Sequence, residues 1–353
     1  FIVALHWICC YWLFMRRARL LLDHGACYHC ISRVVDRRFI FGTPEKRFFR
    51  STMRRLEAFL GVRVLTYCLM SNHFHLLVEV PDPEQIEALS LDSLRQRLPL
   101  LYRGAALAMA IDEINRAEAS SAGAAGSSLW GEEILARYQA RMGSLSVFLK
   151  ELKQRFSQWY NARDERCGTL WEDRFKSVLV EGDEHALMTM AAYIELNPVR
   201  AGLVGDPKDY RWCGYAEAVA GNRLARANLS AMHARTRVWQ GQGQGREAGW
   251  REVAPVYRMH LFGEGERRLG DGHTGSGARP GIDAQRVRQV VEVEGGRLPL
   301  ADLLRCRVRY FCDGAVFGSV GFVNGVFERH RERFGAKREN GARAMRGAEN
   351  WGG

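Results

Sequence analysis

Residues 62–80, VRVLTYCLMSNHFHLLVEV, decide the fold of this chain. Apolar and β-branched side chains fill residues 62–69 and 73–80, and the short segment between them ends in polar residues. This pattern predicts two strands joined as an antiparallel hairpin. Because side chains alternate between the two faces of a strand, His73 and His75 share one face of the second strand. The intervening phenylalanine lies on the other face.

The stretch upstream predicts a strand followed by a helix. Residues 26–35, ACYHCISRVV, are typical of a buried strand. Thr43 then suits the N-cap of a helix and Pro44 its first helical position. The helix is expected to run to about Leu60, because Gly61 favours the left-handed conformation that ends helices.

The stretch downstream repeats this alternation of helix and strand. Residues 144–163 carry apolar side chains at helical spacing, and residues 175–180 suit a strand. Asp183 suits the N-cap of a helix that runs to about Leu196. The complete order is the split β-α-β pattern of a ferredoxin-like sheet. The predicted fold is therefore α+β, a ferredoxin-like antiparallel sheet with packed helices, followed by a mostly helical C-terminal extension.

The composition along the chain predicts its domain organisation. One domain over residues 15–215 is interrupted by an insertion at about 82–143, where prolines break the strand pattern and a small-residue linker follows. Residues 216–281 are a glycine-rich linker region with helical segments. The pattern of residues 282–353 predicts a small basic helical module and a basic tail.

The first residues and the cysteines bear on location. The apolar run at 1–14 is shorter than the ~20 residues that a membrane span needs. We interpret it as a non-native or upstream leader, with Met15 as the natural start. Cys27 and Cys30 form one C-x-x-C pair among nine cysteines, and strand packing is a better interpretation than zinc binding. The cysteine pattern fits a reducing cytoplasm.

Two residue pairs predict chemistry. His73 and His75 present two imidazoles one pleat apart, an arrangement that can hold a divalent ion; alternatively they are partly exposed strand residues. Tyr193 and Asn197 are four residues apart on a helix, so they share a face and differ by roughly 40° in direction. Asn197 could supply a third metal ligand and Tyr193 could attack a phosphate. Alternatively, the tyrosine is a core residue and the asparagine a helix stop.

Tyr160 is a competing nucleophile. It also lies on a predicted helix, and Asp164 follows four residues later. Its neighbours Phe156 and Trp159 favour a packing role instead.

The charge of the chain indicates a polyanionic partner. The net charge is +11, and most of the basic residues are arginines, which suit planar contact with phosphate. An arginine-rich composition is also typical of a GC-rich genome. The candidate DNA-binding residues are Arg33, Arg37, Arg38, Arg174, Lys176 and Arg200. The alternative for these residues is a solvated strand edge or a helix cap.

Several blocks of sequence resemble the REP-associated tyrosine transposases, which are HUH single-strand transposases of bacterial insertion sequences (U is a hydrophobic residue). The match covers about residues 15–215 apart from the insertion, and four blocks follow one another in the family's order. These blocks are ACYHCISRVVDRRFIF, VLTYCLMSNHFHLLVEVP, LKQRFSQWYNARDERCGTLWEDRFKSVLVEGDEHAL and AAYIELNPVRAGLV. The short segment DYRWCGY resembles the end of the family domain. The insertion and the long tail depart from the minimal family pattern.

The resemblance implies a mechanism and a substrate. His73 and His75 match the HUH pair that binds Mg²⁺ or Mn²⁺, and Asn197 matches the polar residue that completes the metal site. Tyr193 matches the catalytic tyrosine, which forms a 5′-phosphotyrosine and leaves a free 3′-OH. Substrates in the family are single strands that bear hairpins, often repeated extragenic palindromes. Related enzymes act as dimers, so a homodimer in the bacterial cytoplasm is expected.

Two other functions stay open from the sequence. The first is a domesticated relative that binds hairpin DNA without cutting it. The second is a metal-dependent nuclease that uses water and forms no covalent intermediate.

Overall fold

The fold is built on one β-sheet. The computed structural model describes residues 20–121, 129–239, 249–265, 316–334, 338, 341–344 and 351–352. Its strands are β1 (Ala26–Arg33), β2 (Arg63–Leu69), β3 (His73–Val80), β4 (Lys176–Val180), β5 (Val316–Gly318), β6 (Arg343–Ala344) and β7 (Trp351–Gly352). The first four lie in the order β2-β3-β1-β4, and each neighbouring pair is antiparallel. This is the predicted ferredoxin-like arrangement, which is confirmed.

Helices cover both faces of the sheet. In chain order they are α1 (Thr43–Leu60), α2 (Leu91–Leu101), α3 (Gly104–Ser121), α4 (Leu129–Gln139), α5 (Leu145–Arg163), α6 (Glu184–Glu195), α7 (Asn197–Arg200), α8 (Gly214–Val219), α9 (Arg223–Trp239), α10 (Trp250–Glu264) and α11 (Val320–Arg329). Helices α1 and α5 pack against each other on one face, and α6 crosses β2 and β3 on the opposite face. None of the helices in the described ranges is long and apolar enough to cross a membrane.

The ends of the central helices have local causes. Asp183 caps α6 as predicted, because its Oδ1 accepts a hydrogen bond of 2.6 Å from the Ala186 N–H. Gly61 ends α1 in the left-handed conformation, with φ of 72°. The start of α1 differs by one residue from the expectation. Thr43 already belongs to the helix and Gly42 is its N-cap, without a side-chain hydrogen bond.

An aromatic cluster fills the core between the sheet and helices α1 and α5. Phe74 points into it from β3 and is fully buried. Its ring centroid lies 4.8 Å from that of Phe49 on α1 and 5.6 Å from that of Trp171. The strand that carries the two histidines is therefore held from behind by aromatic packing.

The insertion and the C-terminal part add to this core at its margins. Helices α2–α4 follow the end of β3, and α2 packs on α1. In the C-terminal part, α11 lies within the predicted helical module and has Ser319 as its N-cap, but the sequence did not predict the short strands. β5 pairs in parallel with β4, and β7 and β6 extend the sheet further. The leader at 1–14 lies outside the described residues.

The C-x-x-C pair takes part in packing. Cys27 and Cys30 are both buried thiols on β1. Because they are three residues apart on a strand, their side chains lie on opposite faces. This favours the packing interpretation over a zinc site.

Candidate active site

The register of β1 and β3 brings the two histidines next to a cationic side chain. Arg33 pairs directly with His73, and Ile31 pairs with His75. These four residues lie on the sheet face opposite Phe74. The ring centroids of the two histidines are 5.1 Å apart.

His73 is held in one tautomer by its neighbour in the chain. Its Nδ1 lies 2.6 Å from Oδ1 of Asn72. The amide orientation of Asn72 is set independently, because its Nδ2 donates to the Arg37 carbonyl at 3.0 Å. Since Oδ1 can only accept, His73 carries its proton on Nδ1 and keeps the lone pair on Nε2. Burial, reinforced by the charge of Arg33, lowers the pKa of His73 to about 4, so the ring is neutral at pH 7.

His75 has a second histidine as its partner, and the sequence analysis missed it. Nε2 of His29 on β1 lies 2.9 Å from Nδ1 of His75, and the two rings are stacked with centroids 5.2 Å apart. Both side chains are buried. Burial, followed by the neighbouring His29, lowers the pKa of His75 well below its ordinary value. Strand alternation could have revealed His29, because it occupies the same face as Ile31 and Arg33.

Tyr193 approaches this histidine pair from α6. Its ring centroid lies 5.7 Å from that of His75 and 5.7 Å from that of His29, edge-on in both cases. The side chain is 5% exposed. Tyr160 lies elsewhere: it belongs to α5, which packs on the Phe74 face, and its ring stacks on Phe156. The sheet therefore separates Tyr160 from the histidines.

Asn197 follows Tyr193 by one helical turn. Its Nδ2 donates to the carbonyls of Tyr193 at 2.9 Å and Ile194 at 3.2 Å. These bonds orient the amide and leave Oδ1 as the atom that can act as an acceptor or a ligand.

Arg200 covers the other side of the tyrosine. Its Nη1 donates to the Tyr193 carbonyl at 2.9 Å, and its guanidinium carbon lies 5.5 Å from the centre of the Tyr193 ring. Nη2 is buried and has no hydrogen-bond partner among the described residues. Burial lowers the pKa of Arg200 to about 10, so the group is still cationic at pH 7.

The donor chemistry of His73, His75 and Asn197 suits a divalent ion, and two imidazoles are the stronger part of the set. In both His73 and His75, Nδ1 is engaged by a neighbouring side chain, the pattern that metal-binding histidines show when a further group orients them. No three His, Cys, Asp or Glu side chains form a metal site within the described part of the chain. An ion here would therefore need a neutral oxygen such as Oδ1 of Asn197 beside the two imidazoles.

The other basic candidates gather at the same end of the sheet. Lys176 pairs with Ile31 and so shares the histidine face. Arg37, Arg38 and Arg174 are exposed on the segments that flank the end of β1. Backbone bonds hold these segments together: the Val35 N–H donates to the Leu170 carbonyl and the Glu172 N–H to the Arg33 carbonyl, both at 3.0 Å. These segments bring Arg37, Arg38 and Arg174 to the end of β1, together with the exposed acidic residues Asp36, Glu172 and Asp173.

Comparison with known proteins shows similarity in the part of the chain that carries the two histidines. The model of the family described as Transposase IS200 like matches residues 24–90, which include β1, the hairpin and both histidines of β3. The resemblance to this transposase class is thus confirmed over that stretch. Among solved structures, the chain is similar to one described as a REP-associated tyrosine transposase bound to a REP hairpin. That similarity has 14% identity and a TM-score of 0.35, and it covers 59% of this chain and 87% of the other. No curated protein matches the chain.

Proposed function

We propose that this protein is a transposase that cleaves and rejoins single-stranded DNA through a covalent 5′-phosphotyrosine on Tyr193. The observation that carries the proposal is the 5.7 Å approach of the Tyr193 ring to His75 within one chain. A phenol beside neutral imidazoles is suited to attack on a phosphate. The sequence resemblance suggests hairpin-bearing strands, such as repeated extragenic palindromes, as substrates.

His73, His75 and Asn197 are the residues that would hold a divalent metal, Mg²⁺ or Mn²⁺. When bound, such an ion acts as a Lewis acid that stabilises charge on the phosphate oxygens. Burial keeps the imidazoles of His73 and His75 neutral. Asn72 orients the ring of His73, and His29 orients that of His75.

The covalent step is a transesterification. The phenolic oxygen of Tyr193 forms a bond to phosphorus and loses its proton to solvent. The bond from phosphorus to the 3′ oxygen breaks, and that oxygen takes up a proton to become a 3′-OH. In the reverse step a 3′-OH attacks the phosphotyrosine and regenerates the phenol, so the energy of the phosphodiester bond is conserved.

Arg200 is suited to bind the phosphate under attack. Its Nη2 is a buried donor beside the nucleophile without a partner in the described residues, and leaving such a donor unsatisfied costs free energy. An anionic phosphate oxygen would satisfy it and complete a charge-assisted hydrogen bond. Since Arg200 also lies over the Tyr193 ring, it links the position of the phosphate to that of the phenol.

All the residues of this proposed site come from one chain. Catalysis in cis therefore requires no second subunit for its chemistry. The homodimer expected from related enzymes stays a prediction.

Covalent trapping tests the proposal. The protein is incubated with Mn²⁺ and a hairpin-bearing single strand that carries a label on the 3′ side of the cleavage site, and adducts are resolved by denaturing electrophoresis. We expect a labelled adduct with the wild type and with Tyr160→Phe, and none with Tyr193→Phe. Peptide mapping should place the modification on Tyr193.

The same assay separates the other functions. Cleaved DNA without any adduct would indicate a nuclease that uses water. Binding without cleavage under Mg²⁺ or Mn²⁺ would indicate a hairpin-binding protein. An adduct that persists in Tyr193→Phe would show that the nucleophile is assigned wrongly.

A further inference from the structure

Phe39 is the most exposed large apolar side chain among the described residues. It is 82% exposed and follows Arg37 and Arg38 in the loop between β1 and α1. Single exposed apolar residues are common on proteins, so exposure alone carries no conclusion. What makes this residue informative is that its loop is hydrogen-bonded to the residues just before His73.

The Phe39 loop is attached to the strand of His73 by hydrogen bonds. The Val34 N–H donates to the Asn72 carbonyl at 2.9 Å, and the Phe41 N–H donates to the Ser71 carbonyl at 3.0 Å. The side chain of Asn72 also connects the Phe39 loop to β3, because Nδ2 donates to the Arg37 carbonyl and Oδ1 accepts from His73. The Phe39 loop is therefore joined directly to the residues that precede His73, one of the proposed metal ligands.

The backbone around Phe39 is held in an uncommon conformation. Asp36 and Arg37 have φ values of 56° and 54°, in the left-handed region that residues other than glycine rarely adopt. The next residues, Ile40 and Phe41, are buried. Buried residues on one side and a left-handed turn on the other keep Phe39 projecting into solvent.

We propose that Phe39 is a stacking platform for an unpaired nucleobase of a single strand that enters the active site. The neighbouring charges favour this occupant: Arg37 and Arg38 beside it suit the phosphates on either side of a stacked base. A protein partner fits less well, because an isolated phenyl ring among guanidinium groups offers little contiguous apolar surface. The proposal rests on the proposed function, because it assumes that single-stranded DNA is the substrate.

A binding experiment with three DNAs tests this platform. The first is a hairpin with a single-stranded extension, the second is the same hairpin with a blunt end, and the third carries 2-aminopurine in the extension. Stacking on an aromatic ring contributes on the order of 1–3 kcal/mol per base, which corresponds to about 5- to 150-fold in affinity. We expect Phe39→Ala to weaken binding of the extended hairpin by this factor and to leave the blunt hairpin unchanged.

Two further variants sharpen the result. Phe39→Trp keeps an aromatic face, so it should retain affinity and quench 2-aminopurine fluorescence. Leu129→Ala removes another exposed apolar residue, which is 80% exposed and lies in the insertion. It should leave the affinity for both hairpins unchanged. Thermal unfolding of each variant should match the wild type, because the side chain of Phe39 contributes little to the core.

The outcomes distinguish this inference from the proposed function. The platform is wrong if Phe39→Ala binds the extended hairpin as tightly as the wild type does. It is also wrong if the substitution weakens binding of the blunt hairpin by the same factor, even if Tyr193 still forms its adduct. If no adduct forms with any DNA but Phe39→Ala selectively weakens the extended hairpin, the platform stands and the catalytic proposal fails.

Discussion

At the level of single residues, the contact between His29 and His75 would set which His75 nitrogen faces the proposed ion. Metal binding through Nε2 of His75 requires its Nδ1–H to donate to His29. His29→Leu removes the acceptor, whereas His29→Gln retains an amide oxygen there. We expect His29→Leu to weaken Mn²⁺ binding by about 10- to 100-fold and His29→Gln to recover part of that loss, as measured by calorimetric titration.

A matched control for His29 is His24→Gln, which changes an exposed histidine just before β1. It should bind Mn²⁺ as the wild type does. Unchanged Mn²⁺ affinity in a folded His29→Leu variant would show that His29 only fills space.

Glu195 gives the stability of the protein a dependence on pH. Its carboxyl is fully buried. It accepts one hydrogen bond from the Thr66 hydroxyl and another, of 2.7 Å, from the Tyr215 N–H. Desolvation by burial raises the pKa of Glu195 from 4.5 to about 7. The folded state thus holds a proton that the unfolded chain releases at lower pH. The resulting stability is complete below about pH 4.5 and is lost as the pH rises through about 7.

Glu195→Gln tests this directly, because the amide mimics the protonated acid. The free energy of unfolding of the wild type should fall relative to that of the variant by on the order of 3 kcal/mol between pH 5 and pH 8. Urea denaturation at the two pH values measures the difference. Parallel pH profiles for the two proteins would mean that Glu195 is already ionised in the folded state at pH 5.

At the scale of elements, β3 positions the site through the residue between its histidines. Phe74 is fully buried against Phe49 and Trp171. Phe74→Ala should lower the free energy of unfolding by about 3–5 kcal/mol, because it leaves a cavity behind the strand. Phe74→Leu should cost less, and Met109→Ala, which changes an exposed residue, should cost almost nothing. If Phe74→Ala were as stable as Met109→Ala, the aromatic cluster would not support β3.

The elements also show what a sequence can predict. The hairpin, the alternation of His73 with Phe74 and the cap at Asp183 follow from local patterns, and all appear in the structure. The contact of His29 with His75 depends on the register between two strands far apart in the chain, which no local pattern specifies. Strands β5 to β7 are only two or three residues long, so their pairing is decided by distant partners.

At the scale of the whole molecule, the C-terminal part covers a strand edge that would otherwise be exposed. β5 pairs with β4, and the Glu181 N–H donates to the Phe317 carbonyl at 2.8 Å. Gly318 permits this approach, because a Cβ at that position would lie 2.6 Å from Cβ of Glu181. Unpaired edges invite association with other chains, so this contact shields the outer edge of β4.

Gly318→Ala should therefore separate β5 from β4. We expect the Glu181 amide to lose protection from hydrogen exchange and the protein to self-associate at high concentration. Gly321→Ala is the matched control, since nothing lies within 4 Å of a Cβ there and alanine favours the helix. Equal exchange rates of the Glu181 amide in the two variants would show that pairing of β5 with β4 does not need the tight contact at Gly318.

The insertion leaves the sheet after Val80, at the opposite end of β3 from His73. Eight residues of strand separate these ends by roughly 20 Å. A segment inserted at this end of the sheet is therefore remote from His73, so its length can change without disturbing the candidate active site. The same position, after Val80, would suit the insertion of a reporter or a targeting domain into an engineered variant.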